Sequence, residues 1–171
     1  MSNRHLNVDL DELVEAMDTH FDGTIEWFLD AQTGAVHPVN EEDRDDEGDK
    51  GEDGEEADMP PWRREAKALA AEIDSNPNRF VSIPHTESHE AYRIMEDFIP
   101  QVANPRLRDL LADAIAGKGA FRRFKDIVLS YPDIRQSWFV FEASAKRKWA
   151  ENWLATLGIE TTWKPAPPSP D

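Results

Sequence analysis

A strongly acidic segment, residues 41–58, most constrains how this chain can fold. Twelve of its residues are Asp or Glu, two are basic, and almost none is apolar. A segment of this composition buries too little apolar surface to offset the entropy cost of ordering its backbone, so we expect residues 40–59 to form a disordered acidic loop. The hydrophobic core must therefore come from the two flanking parts of the chain.

The charge of the chain is concentrated in the same segment. The formal net charge is −16, of which residues 41–58 contribute −10, which leaves −6 for the other 153 residues. Residues 117–153 carry eight bases and four acids, a net charge of +4. The overall charge argues against nonspecific nucleic-acid binding by the whole protein, but it is compatible with a local anion site.

Composition also limits the compartment and the chemistry. The chain has no cysteine, which excludes disulfides, thiol catalysis and Cys-ligated metals. No apolar run approaches the roughly 20 residues that span a bilayer, and the N-terminal residues lack the apolar stretch of a secretory signal. We therefore expect a cytoplasmic protein without a membrane segment.

The first elements are read from hydrophobic spacing. Residues 9–20 have the apolar periodicity of an amphipathic helix, and Asp9 is placed to cap it. Residues 24–30 and 35–39 alternate like strands, and the Gln32-Thr33-Gly34 turn joins them into a hairpin.

The rest of the chain is dominated by helical patterns separated by proline and glycine. Helices are predicted at about 60–73, 87–102, 105–116, 120–131 and 132–158, and short strands at 79–83 and 159–163. These elements predict an α+β fold in which about six helices pack a small, mainly antiparallel sheet made of the hairpin and one or two short strands. We expect a single domain over residues 8–163, interrupted by the acidic loop, and a disordered Pro-rich tail at 164–171.

Four motifs then carry a family resemblance. In order, they are Leu29-Asp30-x-x-Thr33-Gly34, Phe80-Val81-x-Ile83-Pro84, Tyr92-x-x-Met95-x-x-Phe98-Ile99 and the Gly117–Lys125 stretch. Over roughly residues 8–160 the chain resembles a bacterial group catalogued as an uncharacterised protein family. The resemblance implies one soluble domain of bacterial type. That family has no assigned activity, substrate or cofactor, so the resemblance implies no chemistry.

The Gly117–Lys125 stretch supplies the candidate ligand-binding residues, which are Lys118, Arg122, Arg123 and Lys125. Lys118 precedes a helix start, where free backbone N–H groups and the helix dipole favour an anion. Arg122 can bind a phosphate or a carboxylate through two parallel hydrogen bonds. The pattern predicts a basic–aromatic surface for an acidic protein partner or a small phosphorylated ligand.

A structural interpretation of the same stretch stays open. In it the bases form ion pairs with acids such as Asp126, Asp133 and Glu142, while Phe121 and Phe124 point to one side and fill the core.

Two functional alternatives are weaker. His85 and His89 are four residues apart near a helix start, a spacing that suits an acid–base or metal site. No third residue that could bind a metal lies at a spacing typical of such sites. A nucleic-acid interface would add Arg135 and the bases at 146–148, yet the interleaved aromatic residues have the spacing of a helical core.

The sequence therefore favours a cytoplasmic binding or regulatory protein and leaves an enzyme open. It identifies no catalytic residue and predicts no metal or cofactor. It does not indicate an oligomeric state.

Overall fold

The computed structural model describes residues 2–18, 23–44 and 59–167. Seven helices and five short strands lie within these residues, and three of the strands form a small antiparallel sheet. The predicted α+β class, with helices dominating, is confirmed. The chain divides into two units, residues 1–85 with 151–171 and residues 86–150. The predicted single domain over 8–163 stays a prediction.

The first unit holds every strand of the described residues. These are β1 (Arg4–Leu6), β2 (Ile25–Asp30), β3 (Val36–Asn40), β4 (Phe80–Ser82) and β5 (Ile159–Thr161). The sheet order is β3-β2-β4 with antiparallel neighbours, and β1 and β5 form a separate parallel pair. The parallel pair joins two segments that are distant in sequence, and β1 was not predicted.

The β2–β3 hairpin confirms the predicted strand–turn–strand. Gly34 turns the chain with φ 85°, and a Cβ at this position would lie 3.0 Å from the backbone oxygen of Asn7. Phe28 and Leu29 are both buried, although successive strand residues point to opposite faces. Both faces of β2 are therefore covered, whereas alternation alone predicted a half-buried strand.

Three helices lie entirely within the first unit: α1 (Leu10–Asp18), α2 (Glu41–Arg44) and α3 (Pro61–Ser75). Asp9 caps α1 as predicted, since its Oδ1 accepts hydrogen bonds from the backbone N–H groups of residues 11 and 12 at 2.9 and 3.2 Å. A core cluster on one side of the sheet contains Phe28, Val39, Ala70, Ile73 and Phe80.

Helix α2 lies at the start of the predicted acidic loop. Arg44 anchors it, because its guanidinium is 2.7 Å from the Glu26 carboxylate and 5.1 Å from the centroid of the Phe28 ring. Regular structure therefore continues through residue 44. The remainder of the predicted loop, residues 45–58, lies outside the described residues, as do residues 168–171 of the predicted tail.

Within the described residues, all the regular secondary structure of the second unit is helical. It contains α4 (Ser88–Phe98), a 3-10 turn (Ile99–Gln101), α5 (Pro105–Ala114), α6 (Ala120–Ser130) and the first part of α7 (Pro132–Thr156). Its core includes Phe98, Phe124 and Trp138, and the Phe124 and Trp138 ring centroids are 4.7 Å apart in an edge-to-face arrangement.

Helix α4 ends earlier than predicted. The periodicity suggested a helix to residue 102, but regular α-helix stops at Phe98 and a 3-10 turn follows. Pro100 explains the change, because proline has no N–H to donate and its ring clashes with the preceding turn. Within the described residues, no helix is both long enough and apolar enough to cross a membrane.

Candidate binding face on helix α6

The start of α6 depends on a glycine in the left-handed conformation. Gly119 precedes the helix with φ 78°, a backbone angle that side-chain-bearing residues rarely adopt. A Cβ at this position would lie 3.2 Å from Nη1 of Arg123. Gly119 therefore lets the chain turn into α6 and leaves space for a guanidinium beside the turn.

Arg123 fills that space and binds the loop. Its Nε donates to the carbonyl oxygen of Ala114 at 2.9 Å and its Nη2 to that of Ala116 at 2.7 Å. Its Nη1 donates to the carbonyl oxygen of Lys118. Carbonyls at a helix C-terminus lack partners within the helix, so Arg123 satisfies groups at the end of α5 and in the loop after it. Of the four predicted ligand-binding residues, Arg123 therefore has its guanidinium bound to backbone carbonyls of the protein itself.

The other three predicted residues are exposed. Lys118, Arg122 and Lys125 form no side-chain hydrogen bond or ion pair with any other residue that the structure describes. The predicted acid partners are not used, and Glu142 instead lies 3.0 Å from Lys146. Within the described part of the chain, the alternative of a fully ion-paired basic helix is therefore not what forms.

The two phenylalanines of the stretch separate, whereas the structural interpretation placed both in the core. Phe124 is fully buried, whereas Phe121 is 40% exposed. Residues three apart differ by roughly 60° around a helix axis, which is enough to place one ring in the core and the other at its edge. Leu129, at the spacing i+8 from Phe121, is 54% exposed. Two apolar side chains thus accompany Arg122 and Lys125 on the exposed side of α6.

The two histidines of the alternative metal site are not brought into a cluster. His89 lies 3.0 Å from Glu87, and both side chains are largely exposed. Across residues 2–18, 23–44 and 59–167, no group of three or more His, Cys, Asp or Glu side chains is arranged to hold a metal ion.

One ion pair was missed by the sequence analysis. Asp30 is 2% exposed and receives two hydrogen bonds from Arg79, Nε to Oδ1 at 3.1 Å and Nη2 to Oδ2 at 2.7 Å. The backbone N–H groups of Gln32 and Thr33 also donate to Oδ1, at 2.9 and 3.3 Å. Asp30 thus accepts hydrogen bonds from the turn amides, and nothing in the local sequence indicated a partner 49 residues away.

These donors set the ionisation of the pair. The hydrogen bonds from Arg79 hold the pKa of the Asp30 carboxyl well below its ordinary value of 3.8, and the two turn amides lower it further against the opposing effect of burial. The hydrogen bond to Asp30 raises the pKa of Arg79. Arg79 also lies 3.3 Å from Glu72 and stacks on the Phe80 ring, so this pair holds β2, β4 and α3 together.

The comparison with known proteins gives matches that cover nearly the whole chain. The model of the family described as Uncharacterised protein family (UPF0158) matches residues 3–166. A UPF0158 protein of Pseudomonas aeruginosa is 26% identical over 166 residues, which cover 97% of this chain and 93% of that protein. No solved structure matches the chain significantly.

Proposed function

We propose that this chain, which belongs to the uncharacterised protein family UPF0158, is a binding or regulatory protein that docks an acidic protein segment on α6. The docking face is defined as Lys118, Phe121, Arg122, Lys125 and Leu129, and is called the α6 face below. One observation carries the proposal. Three exposed cations, whose side chains have no partner among the described residues, accompany an exposed aromatic ring in a chain of net charge −16.

The charge of the α6 face supports an acidic partner. Cations that are not neutralised by neighbouring acids attract a negatively charged surface and speed its association, and the attraction weakens as salt screens it. Arg123 supports the face indirectly, because its three hydrogen bonds to the loop hold Lys118 and the start of α6 in place.

The apolar members of the α6 face favour a protein segment over a small phosphorylated ligand. Phe121 and Leu129 each lie about one turn from Lys125, one before it and one after it on the helix, so apolar and cationic groups alternate along one stripe. Buried aromatic anchors contribute much of the affinity at protein interfaces, whereas a phosphate needs only the cations. The expected partner combines acidic side chains with one or two apolar anchors.

The remaining parts of the proposal rest on sequence. A cytoplasmic location and a non-enzymatic role are part of it, and the histidine and nucleic-acid alternatives have less support. Two observations speak against these alternatives: no metal-holding cluster forms around His85 and His89 within the described residues, and Phe124 and Trp138 are buried in the core.

Fluorescence anisotropy with a labelled amphipathic peptide of Glu and Leu tests the proposal, with a Lys and Leu peptide as the charge-reversed probe. We expect saturable binding of the acidic peptide that is stronger at low salt. The Arg122→Glu/Lys125→Glu variant should bind at least about tenfold more weakly, and Phe121→Ala about threefold to tenfold more weakly.

The matched control is Arg135→Glu/Lys148→Glu, which makes the same change in net charge at two exposed cations of α7. If this control loses as much affinity as the α6 variant, general electrostatics and not the α6 face binds the peptide. If the peptide does not bind but inorganic phosphate shifts the amide signals at 118–122 in a saturable way, the small-ligand alternative replaces the proposal.

A further inference from the structure

The second unit contains a groove that the α6 face does not use. It lies among the 3-10 turn after α4, the start of α5 and the first turns of α7, and its volume is about 450 Å³. Sites for small molecules commonly have volumes of roughly 300–1,000 Å³. The groove is therefore large enough for a compact organic ligand.

The apolar side of the groove is fixed by packing. Phe98 and Ile134 line it and are 3% and 8% exposed, so most of their surface is held by the core. The Phe98 ring centroid is 5.2 Å from that of Trp138 and 5.4 Å from that of Phe141, which also lines the groove. Aromatic rings held from several sides keep their positions, so the groove is formed before a ligand arrives.

The polar side of the groove is negative. Asp133 is the one charged side chain among its described lining residues. Its carboxylate has no hydrogen bond or ion pair with the residues that the structure describes. The Ser137 hydroxyl, also on the lining, donates to the Asp133 carbonyl at 3.2 Å, which leaves its oxygen as an acceptor.

Arg108 follows the lining residue Leu107 but does not neutralise this side. Arg108 donates through Nε to the Val102 carbonyl at 3.1 Å and through Nη2 to the Ala103 carbonyl at 3.5 Å. Its guanidinium is thus committed to the end of the 3-10 turn and is absent from the lining. A ligand in the groove meets the half-buried Phe141 ring and, on the polar side, the Asp133 carboxylate and the Ser137 hydroxyl.

We propose that this groove binds a small molecule that has an apolar ring or chain and a cationic amino group. The amino group would pair with the Asp133 carboxylate, and the apolar body would pack on Phe98, Ile134 and Phe141. A cation next to aromatic rings gains further stabilisation from their electron-rich faces. The inference is independent of the α6 face, which would select ligands of the opposite charge.

The test uses 2-phenylethylamine and 3-phenylpropionate, which share a ring and a two-carbon linker but carry opposite charges. Titration of the full-length, isotope-labelled protein is followed by the amide signals of Gln101, Ala103, Asp133 and Ser137. The amine should shift these signals with a Kd on the order of 1 mM, and the carboxylate should bind at least about tenfold more weakly.

Two variants locate the site. Asp133→Asn should reduce the preference for the amine to less than about threefold, and Ala103→Trp, at an exposed lining position, should block both probes. Asp109→Asn, an exposed acid of α5 outside the groove, is the matched control and should bind the amine like the unchanged protein.

Three binding patterns would overturn the inference. The first is that the amine shifts only amide signals outside the groove. The second is equal affinity for the amine and the carboxylate. The third is that Asp133→Asn still prefers the amine as strongly as the unchanged protein does. An absence of any saturable shift at about 10 mM amine would also overturn it, since a fragment of this size should bind a formed site at that concentration.

Discussion

The buried carboxylate of Asp30 receives donors from two directions. The Arg79 guanidinium binds both of its oxygens, and the amides of the hairpin turn bind one of them. A buried charge without such donors would cost several kcal/mol. At the residue scale, one side chain therefore links the turn between β2 and β3 to the residue that precedes β4.

Replacement of Asp30 by Asn should destabilise the protein by about 3 kcal/mol near pH 7, because it leaves the Arg79 charge without its main partner. The pKa of Asp30 is lower in the folded than in the unfolded state, so its contribution is fully present above its ordinary pKa of 3.8 and is lost as pH falls below it. Urea denaturation at several pH values measures the difference.

The difference in free energy of unfolding between the unchanged protein and Asp30→Asn should be the same at about pH 7 and at about pH 5. It should become smaller at about pH 3. Glu72→Gln is a suitable control, because it changes the more exposed partner of Arg79 and should cost less than about 1 kcal/mol. A gap that stays constant through pH 3 would contradict the lowered pKa.

Arg123, in the first turns of α6, and Gly119, directly before the helix, together stabilise the loop before α6. Arg123→Ala should cost about 1–2 kcal/mol, since the carbonyls at 114, 116 and 118 lose their donor. Gly119→Ala should cost about 1–2 kcal/mol through its φ of 78° and the close Arg123 guanidinium. Thermal unfolding measures the stability of each variant. Arg122→Ala is the control, because it removes an exposed charge next to Arg123 and should leave the stability unchanged. A loss in both Arg variants would indicate an effect of charge and not of the hydrogen bonds to the loop.

At the scale of elements, α5 shows how one residue sets a helix boundary. The Asn104 side chain accepts hydrogen bonds from the backbone N–H groups of Arg106 and Leu107 at 3.0 and 3.5 Å, and Pro105 occupies the first helical position. An Asn followed by Pro is a local signal for a helix start, and here both residues act at the start of α5.

Asn104→Ala should lower the free energy of unfolding by about 1 kcal/mol, because two N–H groups at the start of α5 lose their acceptor. Asn104→Asp keeps the acceptor and should restore most of this loss. Chemical denaturation of the three proteins provides the comparison. Equal stability of all three proteins would show that the cap contributes nothing.

At the scale of the whole molecule, segments near the two chain ends meet in the first unit. Strands β1 and β5 pair in parallel, with backbone hydrogen bonds from Arg4 to Gly158 at 2.8 Å and from Thr162 to Leu6 at 2.9 Å. The Thr161 hydroxyl adds a bond of 2.7 Å to the Val8 carbonyl. These bonds join residues more than 150 positions apart and stabilise the first unit.

Deletion of residues 2–7 should lower Tm by about 4–8 °C, since it removes the β1 ladder and exposes the edge of β5. Calorimetry measures the shift, and hydrogen exchange at the β5 amides shows where protection is lost. The matched control is deletion of residues 164–171, of which 164–167 are exposed and irregular. A similar Tm change in both truncations would contradict a specific role for β1.

Local patterns in the sequence determined most of the elements. Capping residues, prolines and apolar spacing depend on neighbours within a few positions, so α1, the hairpin, α5, α6 and α7 were predicted close to their observed bounds. Local signals failed where a distant partner decides the outcome. Strand β1 is only three residues long and exists through its pairing with β5, and α2 is held by contacts of Arg44 with β2.

The candidate site shows the same division. The sequence alone determined that cations and phenylalanines cluster at 117–125, because that is a matter of order along the chain. Only the tertiary structure decided their separate roles: Arg123 binds the loop, Phe124 enters the core, and Phe121 stays exposed with three cations. The same holds for Asp30, whose partner Arg79 is 49 positions away. Burial and long-range pairing depend on which surfaces meet in three dimensions, and no local pattern encodes that.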